Sequence, residues 1–116
     1  IFLQSGLCDT RYHTQAPASG TITNAYCLSS GVYQDVTNYN PSLAGASGAV
    51  SSTAADLTFF FSELFAGHYF KNTSSLLLMT TPVMSAQSIQ WTSYGTGLAL
   101  RSAGLWGAPG ESLGFA

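Results

Sequence analysis

The sequence predicts an α+β chain, because two segments have the pattern of helices and a third has that of a strand. In residues 53–67, large apolar side chains recur every three or four positions between a polar start and a glycine, as in an amphipathic helix. Residues 73–80 contain four consecutive apolar side chains and predict a second, short helix. In residues 94–101, apolar side chains alternate with small or polar ones, which is typical of a strand.

The first half of the chain precedes the main helix and is mostly irregular by composition. Residues 1–12 begin with an apolar patch, and residues 15–23, which contain a proline and a glycine, predict a loop. Residues 25–33 mix apolar and polar side chains and could hold a short strand. Residues 35–48 are rich in Asn, Pro, Ser and Gly, so we expect an ordered loop there.

The main helix has a predicted start, buried face and stop. Thr53, or Ser52 just before it, can accept a hydrogen bond from a backbone N–H of the first turn, and Asp56 suits the positive end of the helix dipole. Gly67 suits a left-handed stop. Phe59 widens the apolar arc, so we expect either that the helix is covered on more than one side or that Phe59 meets another part of a larger protein. The side chains predicted to share the buried face are Leu57, Phe60, Phe61, Leu64 and Phe65.

The last third of the chain is divided by turn-forming residues. Pro82 ends the short helix, since the residue before a proline is pushed out of helical conformation, and residues 83–91 form a connector. The glycines in residues 94–101 suggest a bulge or a close approach of two backbones. Residues 102–104 predict a turn, and residues 112–116 predict the start of another strand.

Composition and charge limit the class of protein. At 116 residues the chain is at most one domain, and 7% of its residues are charged, against a usual value of about 25%. Three basic residues and a net charge of −2 argue against nucleic acid and anionic membranes as partners. No apolar run approaches the roughly 18 residues of a membrane span. No signal peptide is visible, yet the Ser/Thr/Asn-rich, Lys-poor composition favours an exported protein, extracellular or periplasmic.

Two short patterns each allow two interpretations. A disulfide between Cys8 and Cys27 would close a loop of about 20 residues and add roughly 3 kcal/mol of stability, and two small buried thiols fit the sequence equally well. Asn72 begins an Asn-Thr-Ser sequence that matches a glycosylation sequon, but we expect Asn72 or Thr73 to cap the short helix instead.

The histidines suggest neither a catalytic triad nor a metal site. A Ser–His–Asp triad would need His13 or His68 beside one of the carboxylates Asp9, Asp35 and Asp56. Triads are recognised by geometry, and chance supplies these residue types, so a triad is not expected and Asp56 is better explained as a capping residue. Two histidines and two cysteines lack the spacing of zinc ligands, and the glycines form no nucleotide-binding motif. We therefore expect no metal and no cofactor.

Five segments occur in an order that is typical of one protein family. They are residues 6–12 (Gly-Leu-x-Asp-Thr-x-Tyr), residues 47–57 (a small-residue run, then Ser-Thr-x-x-Asp-Leu), the aromatic-rich helix that ends at Gly67, residues 78–82 (Leu-Met-Thr-Thr-Pro) and residues 94–98 (Tyr-Gly-Thr-Gly-Leu). The chain resembles the serine β-lactamase-like, or penicillin-binding, family, which includes class C β-lactamases, D-alanyl-D-alanine carboxypeptidases and related esterases. The resemblance covers nearly the whole chain and corresponds to the C-terminal-side part of the family's domain. It implies helices packed on part of an antiparallel sheet.

The catalytic motifs of that family are missing or altered in this chain. The family uses a Ser-x-x-Lys nucleophile and base, a Tyr- or Ser-x-Asn element and a Lys/His-Thr/Ser-Gly strand. Lys71 is the only lysine, with His68 three residues before it, and no Tyr or Ser has an Asn two residues later. The third motif falls at Ala108, Pro109 and Gly110, so the cation and the hydroxyl that would hold a substrate carboxylate are both replaced.

The resemblance also implies which residues could border a substrate. The backbone amide of Glu111 could still line an oxyanion hole, since a backbone N–H is sufficient there. In the resembled fold, Trp91, Tyr94 and Trp106 would line the cleft, although structural packing explains each of them equally well.

These observations predict that residues 1–116 are a single partial domain. The chain would belong to a serine hydrolase that acts on an ester, amide or peptide bond, and would supply the helices and one wall of the cleft without the nucleophile. Its partner would be the rest of the domain or a second chain, and the intact protein would take a small acyl substrate. Alone, the chain is predicted to be inactive. A catalytically degenerate relative that acts as a binding or structural module, and an independent small α+β domain with an accidental likeness, are the alternatives.

Overall fold

A computed structural model of the chain describes residues 2–15, 20, 22–85, 91–101, 104–108 and 110. Within these residues it contains two α-helices, two 3-10 segments and three small antiparallel sheets, which confirms the predicted α+β class. The chain divides into two compact units, Ile1–Phe59 with Gly110–Ala116, and Phe60–Pro109. The single partial domain that the resemblance implies stays a prediction.

The first unit contains a strand pair that joins two distant parts of the sequence. Strand β1 (Arg11–Tyr12) pairs antiparallel with β4 (Val50–Ser51), which places Arg11 opposite Ser51. Just beyond the pair, the backbone N–H of His13 donates to the carbonyl of Ala49 at 2.8 Å. This pairing holds the segment after residue 6 beside the start of the main helix.

The second strand pair of this unit is a hairpin. Strands β2 (Tyr26–Ser29) and β3 (Val32–Asp35) are antiparallel, and the turn residues Ser30 and Gly31 have φ values of 51° and 79°. Positive φ at both turn positions matches the twist of the two strands. The short strand predicted in residues 25–33 is therefore the first arm of a hairpin that continues to Asp35.

Helix α1 (Ala54–Phe65) begins where the sequence predicts. The Oγ1 atom of Thr53 accepts a hydrogen bond from the backbone N–H of Asp56 at 3.1 Å, which makes Thr53 the N-cap residue. The N–H of Leu57 donates to the Thr53 carbonyl at 3.0 Å and opens the helical ladder. Of the two predicted caps, Thr53 rather than Ser52 fixes the start.

Replacing Thr53 with alanine should lower the free energy of unfolding by about 1 kcal/mol, because the N–H of Asp56 loses its acceptor. Thr58→Ala is the matched control, since the exposed Thr58 hydroxyl donates to the Ala54 carbonyl at 2.7 Å inside the helix and its loss should be neutral or slightly stabilising. Urea unfolding followed by circular dichroism measures both variants. Equal losses of stability would contradict the capping role of Thr53.

The stop of α1 is also the predicted one. Gly67 has a left-handed φ of 84°, and its N–H donates to the carbonyl of Leu64 at 3.0 Å. The N–H of His68 donates to the carbonyl of Glu63 at 3.0 Å. These two bonds form a Schellman motif, which satisfies carbonyls that the end of a helix would otherwise leave without partners.

The buried face of α1 is narrower than the sequence predicts. Leu64 is 6% exposed, and Phe60 and Phe61 are half-buried. Leu57 and Phe65 are 48% and 40% exposed, so their assignment to the buried face is wrong. Periodicity identifies which side chains share one side of a helix, but it does not show how far another segment covers that side.

The second unit contains helix α2 (Ser74–Thr80), whose start and stop both follow the prediction. The Oδ1 atom of Asn72 accepts a hydrogen bond from the backbone N–H of Ser74 at 3.0 Å, whereas the Thr73 side chain makes no capping bond. Asn72 is therefore the residue that satisfies the first turn. Thr81, immediately before Pro82, is extended with a ψ of 115°, as expected for a residue that precedes proline.

A four-stranded antiparallel sheet completes the second unit. Its strands lie side by side in chain order: β5 (Met84–Ser85), β6 (Ser93–Tyr94), β7 (Ala99–Leu100) and β8 (Trp106–Gly107). The single strand predicted over residues 94–101 is wrong, because the N–H of Gly95 donates to the carbonyl of Leu98 at 2.7 Å and closes a turn between β6 and β7. Alternation of side chains cannot distinguish one strand from two strand ends joined by a tight glycine turn. The strand predicted in residues 112–116 lies outside the described residues.

Candidate functional site

The altered third motif follows β8. Ala108 and Gly110 are exposed, and Pro109 and Glu111 lie outside the described residues. Ala108 offers neither a charge nor a hydroxyl, so the described part of the motif contains no group that could hold a carboxylate. The oxyanion role of the Glu111 amide stays a prediction.

The three aromatic residues predicted to line a cleft lie on or beside the four-stranded sheet. The cross-strand register aligns Tyr94 with Ala99 and Gly107, whereas Trp106 is aligned with Leu100 in the neighbouring row. Because neighbouring rows of a sheet point to opposite faces, Tyr94 and Trp106 lie on opposite faces. Trp91 precedes β6, is half-buried, and its ring lies 3.7 Å from the position that a Cβ on Gly107 would occupy. The sheet therefore does not bring the three rings onto a single wall.

The two cysteines are free thiols in the structure, so the disulfide allowed by the sequence is not formed. Cys8 is exposed, and Cys27 in β2 is half-buried. The other interpretation, two small buried thiols, therefore does not describe Cys8 either.

Eight polar side chains of the described residues line a cavity in the first unit. Its volume is about 330 Å³. Asp9 contributes a carboxylate to the lining and His13 an imidazole. Apolar lining comes from Ile22, Pro41 and Val50. Six hydroxyl side chains complete the walls: Thr23, Thr37, Tyr39, Ser51, Ser52 and Thr53.

His13 and Ser51 form the best-buried polar pair of this cavity. The Nε2 atom of His13 lies 2.8 Å from the Oγ atom of Ser51, and His13 is 5% exposed. The two residues meet because β1 pairs with β4, which brings together positions 38 residues apart in the sequence. The sequence gives no signal for this pair, since strands of two residues have no detectable period.

Asp56 joins the start of α1 to the segment before β1. Its Oδ2 atom accepts hydrogen bonds from the backbone N–H of Asp9 at 2.9 Å and from the hydroxyl of Thr10 at 2.7 Å. The hydroxyls of Thr10 and Ser52 lie 2.7 Å apart in the same cluster. Asp56 is 9% exposed, and its carboxylate binds the segment that contains Asp9 and Thr10. Its role therefore extends beyond the helix cap that the sequence predicts.

The other members of the rejected triad lie on exposed surface. The Nδ1 atom of His68 is 2.8 Å from the Oε2 atom of Glu63, and both side chains are partly exposed. The hydroxyl and the backbone N–H of Thr37 bind the carboxylate of Asp35 and hold its pKa below its ordinary value. Neither arrangement joins a histidine to Asp35 or Asp56.

Comparison with known proteins assigns no family. No protein-family model matches the sequence, and no curated protein matches it. Among the described residues, no helix has the length and apolar character needed to cross a membrane, and no group of three or more His, Cys, Asp and Glu side chains could hold a metal ion.

Proposed function

We propose that the chain is part of a serine β-lactamase-like hydrolase. It would supply the helices and one wall of the cleft, while the nucleophile would come from another part of the intact protein. The observation that carries the proposal is that four of the five resembling segments contact each other in pairs, one pair within each unit.

The first pair lies in the first unit and joins residues 6–12 to residues 47–57. Asp56 binds the backbone of Asp9 and the hydroxyl of Thr10, and Ser52 binds Thr10 as well. The Asp-Thr and Ser-Thr-x-x-Asp patterns thus supply complementary donors and acceptors, which explains why the two patterns should occur together.

The second pair lies in the second unit and joins residues 78–82 to residues 94–98. A Cβ on Gly95 would overlap the carbonyl oxygen of Met79, and the N–H of Thr96 donates to the carbonyl of Leu78 at 3.4 Å. The Tyr-Gly-x-Gly pattern therefore needs its first glycine because the end of α2 passes directly against it.

The chemistry of the proposed parent is acyl transfer from an ester, amide or peptide. A serine outside this chain would attack the acyl carbon, and a neighbouring lysine or tyrosine would take its proton. Since Ala108 stands where the family has a cation, we expect a substrate without a carboxylate at that position. We propose an extracellular or periplasmic location, with the rest of the domain or a second chain as partner and no nucleic acid.

The altered third motif favours a second candidate, a catalytically degenerate relative. Such a protein would keep the same paired segments and bind a partner or an acyl compound without turnover. The two candidates differ in the sequence of the intact gene product, because the hydrolase requires an upstream Ser-x-x-Lys.

A comparison of residues 1–116 with the complete gene product tests the proposal. We expect the complete product to contain Ser-x-x-Lys, to hydrolyse p-nitrophenyl acetate and to lose that activity when this serine is changed to alanine. Residues 1–116 alone should not exceed the rate in buffer. If residues 1–116 alone hydrolyse the ester and His68→Ala abolishes that activity, the proposal that this chain lacks a complete catalytic site is refuted. A complete product without Ser-x-x-Lys would refute the hydrolase and leave the degenerate relative.

A further inference from the structure

We propose that the cavity of the first unit binds a small, neutral, hydroxyl-rich molecule of the sugar or polyol class. Its volume of about 330 Å³ lies at the small end of ligand pockets, which measure roughly 300–1,000 Å³. The site contains none of the residues of the altered third motif, so the proposal does not depend on the hydrolase assignment.

The charge of the cavity disfavours an anionic ligand. No Lys or Arg is among the described residues that line it, and Asp9 contributes a carboxylate. A phosphate or carboxylate would find neither a Lys nor an Arg side chain to bind and would be repelled by the Asp9 carboxylate. Ligand hydroxyls, by contrast, can donate to the Asp9 carboxylate, which accepts hydrogen bonds only.

The hydroxyls of the walls match a ligand that both donates and accepts. The hydroxyls of Thr37, Ser51, Ser52 and Thr53 already bind protein groups, and each oxygen, with two lone pairs and one proton, can still form a further hydrogen bond to a ligand. The Tyr39 side chain is half-buried, and its hydroxyl has no hydrogen-bond partner among the described residues. Ile22, Pro41 and Val50 provide apolar surface for the carbon skeleton of the ligand.

Two hydrogen-bonded clusters keep these walls in place without a ligand. On the strand side of the cavity, the Nε2 atom of His13 and the Oγ atom of Ser51 are hydrogen-bonded at 2.8 Å. On the helix side, Thr53 binds the N–H of Asp56, and Ser52 binds Thr10. A preorganised polar site binds more tightly than one that must be ordered by its ligand, because less conformational entropy is lost on binding.

Titration of the ¹⁵N-labelled protein with glycerol and with D-glucose, followed by backbone amide shifts, tests the proposal. We expect saturable shifts that concentrate at residues 37–39 and 50–53. Tyr39→Phe should raise the dissociation constant about two- to tenfold, as expected for the loss of one hydrogen bond. Tyr33→Phe is the matched control, since Tyr33 lies on the hairpin with 73% exposure and does not line the cavity; it should leave binding unchanged.

Sodium acetate and ethylammonium chloride at equal concentration provide the comparison of ligand charge. Acetate should bind more weakly than the polyols because the Asp9 carboxylate repels it. Ethylammonium should also bind more weakly, because it offers one polar group where a polyol offers several hydroxyls to the walls. The proposal is overturned if neither polyol gives saturable shifts, if the shifts lie elsewhere, if acetate or ethylammonium binds more tightly, or if the two tyrosine variants behave alike. Because phenylalanine preserves the shape of each side chain, the amide spectra of both variants should remain those of the folded protein.

Discussion

Replacing Asp56 with alanine should lower the free energy of unfolding by about 2–4 kcal/mol, a large fraction of the roughly 5–15 kcal/mol that is typical of native proteins. Asp56 is 9% exposed, and its carboxylate accepts from the Asp9 N–H and the Thr10 hydroxyl at 2.9 and 2.7 Å. Each hydrogen bond to a charged group contributes about 1.5–3 kcal/mol. Alanine leaves the Asp9 N–H without its acceptor, whereas the Thr10 hydroxyl keeps Ser52 as a partner. Urea unfolding monitored by circular dichroism measures the loss.

The matched control for Asp56 is the other acidic residue of α1, Glu63. Its partner His68 is 65% exposed, and an exposed ion pair contributes at most about 1 kcal/mol. Glu63→Gln should therefore lower the free energy of unfolding much less than Asp56→Ala does. If both variants lose the same stability, the charge of the helix rather than the Asp56 hydrogen bonds is responsible, and our interpretation of the cluster fails.

Replacing Gly95 with alanine should lower the free energy of unfolding by about 3 kcal/mol or more, because the added methyl group has no space. Its Cβ would overlap the Met79 carbonyl oxygen and stand 3.0 Å from the Met79 carbonyl carbon and 3.2 Å from the Thr81 oxygen. All three atoms belong to the backbone, so no side-chain rotation can relieve the overlap. Thermal and urea unfolding should both show the loss.

Gly107→Ala makes the same substitution in strand β8 of the same unit and is the control for Gly95. A Cβ on Gly107 would stand 3.7 Å from the Trp91 ring, an ordinary van der Waals distance. We expect a change within about 0.5 kcal/mol, as for most substitutions without a specific mechanism. A Gly95→Ala protein as stable as Gly107→Ala would show that α2 does not pass against Gly95 as described.

Much of the local structure could be predicted from the sequence. The signals for both ends of α1, Thr53 and Gly67, act within one helical turn, and both have the predicted conformation. The same holds for Asn72 before α2 and Pro82 after it. Predictions that depend on which segments meet were less successful: Leu57 and Phe65 are exposed, and residues 94–101 contain a turn.

The candidate cavity could not be predicted, although its residues are visible in the sequence. In the sequence, nothing connects His13 with Ser51. In the structure, the pairing of β1 with β4 places the Nε2 atom of His13 2.8 Å from the Oγ atom of Ser51. Asp56 was recognised as a residue of the first helical turn, but its partners Asp9 and Thr10 lie 47 and 46 positions away in the sequence. Patterns of a few residues carry no information on such pairings, since any hydroxyl or amide elsewhere could serve as the donor.

The sequence by itself determined the mixture of helix and strand, the helix caps and the left-handed stop at Gly67, because these depend on steric and hydrogen-bonding preferences within a few residues. The tertiary structure decided which side of α1 is covered, that Asp56 binds the segment before β1, and that His13 and the hydroxyl side chains surround one cavity. The physical reason is that burial and side-chain hydrogen bonds require two segments at one place, and their meeting is set by the packing of each unit as a whole.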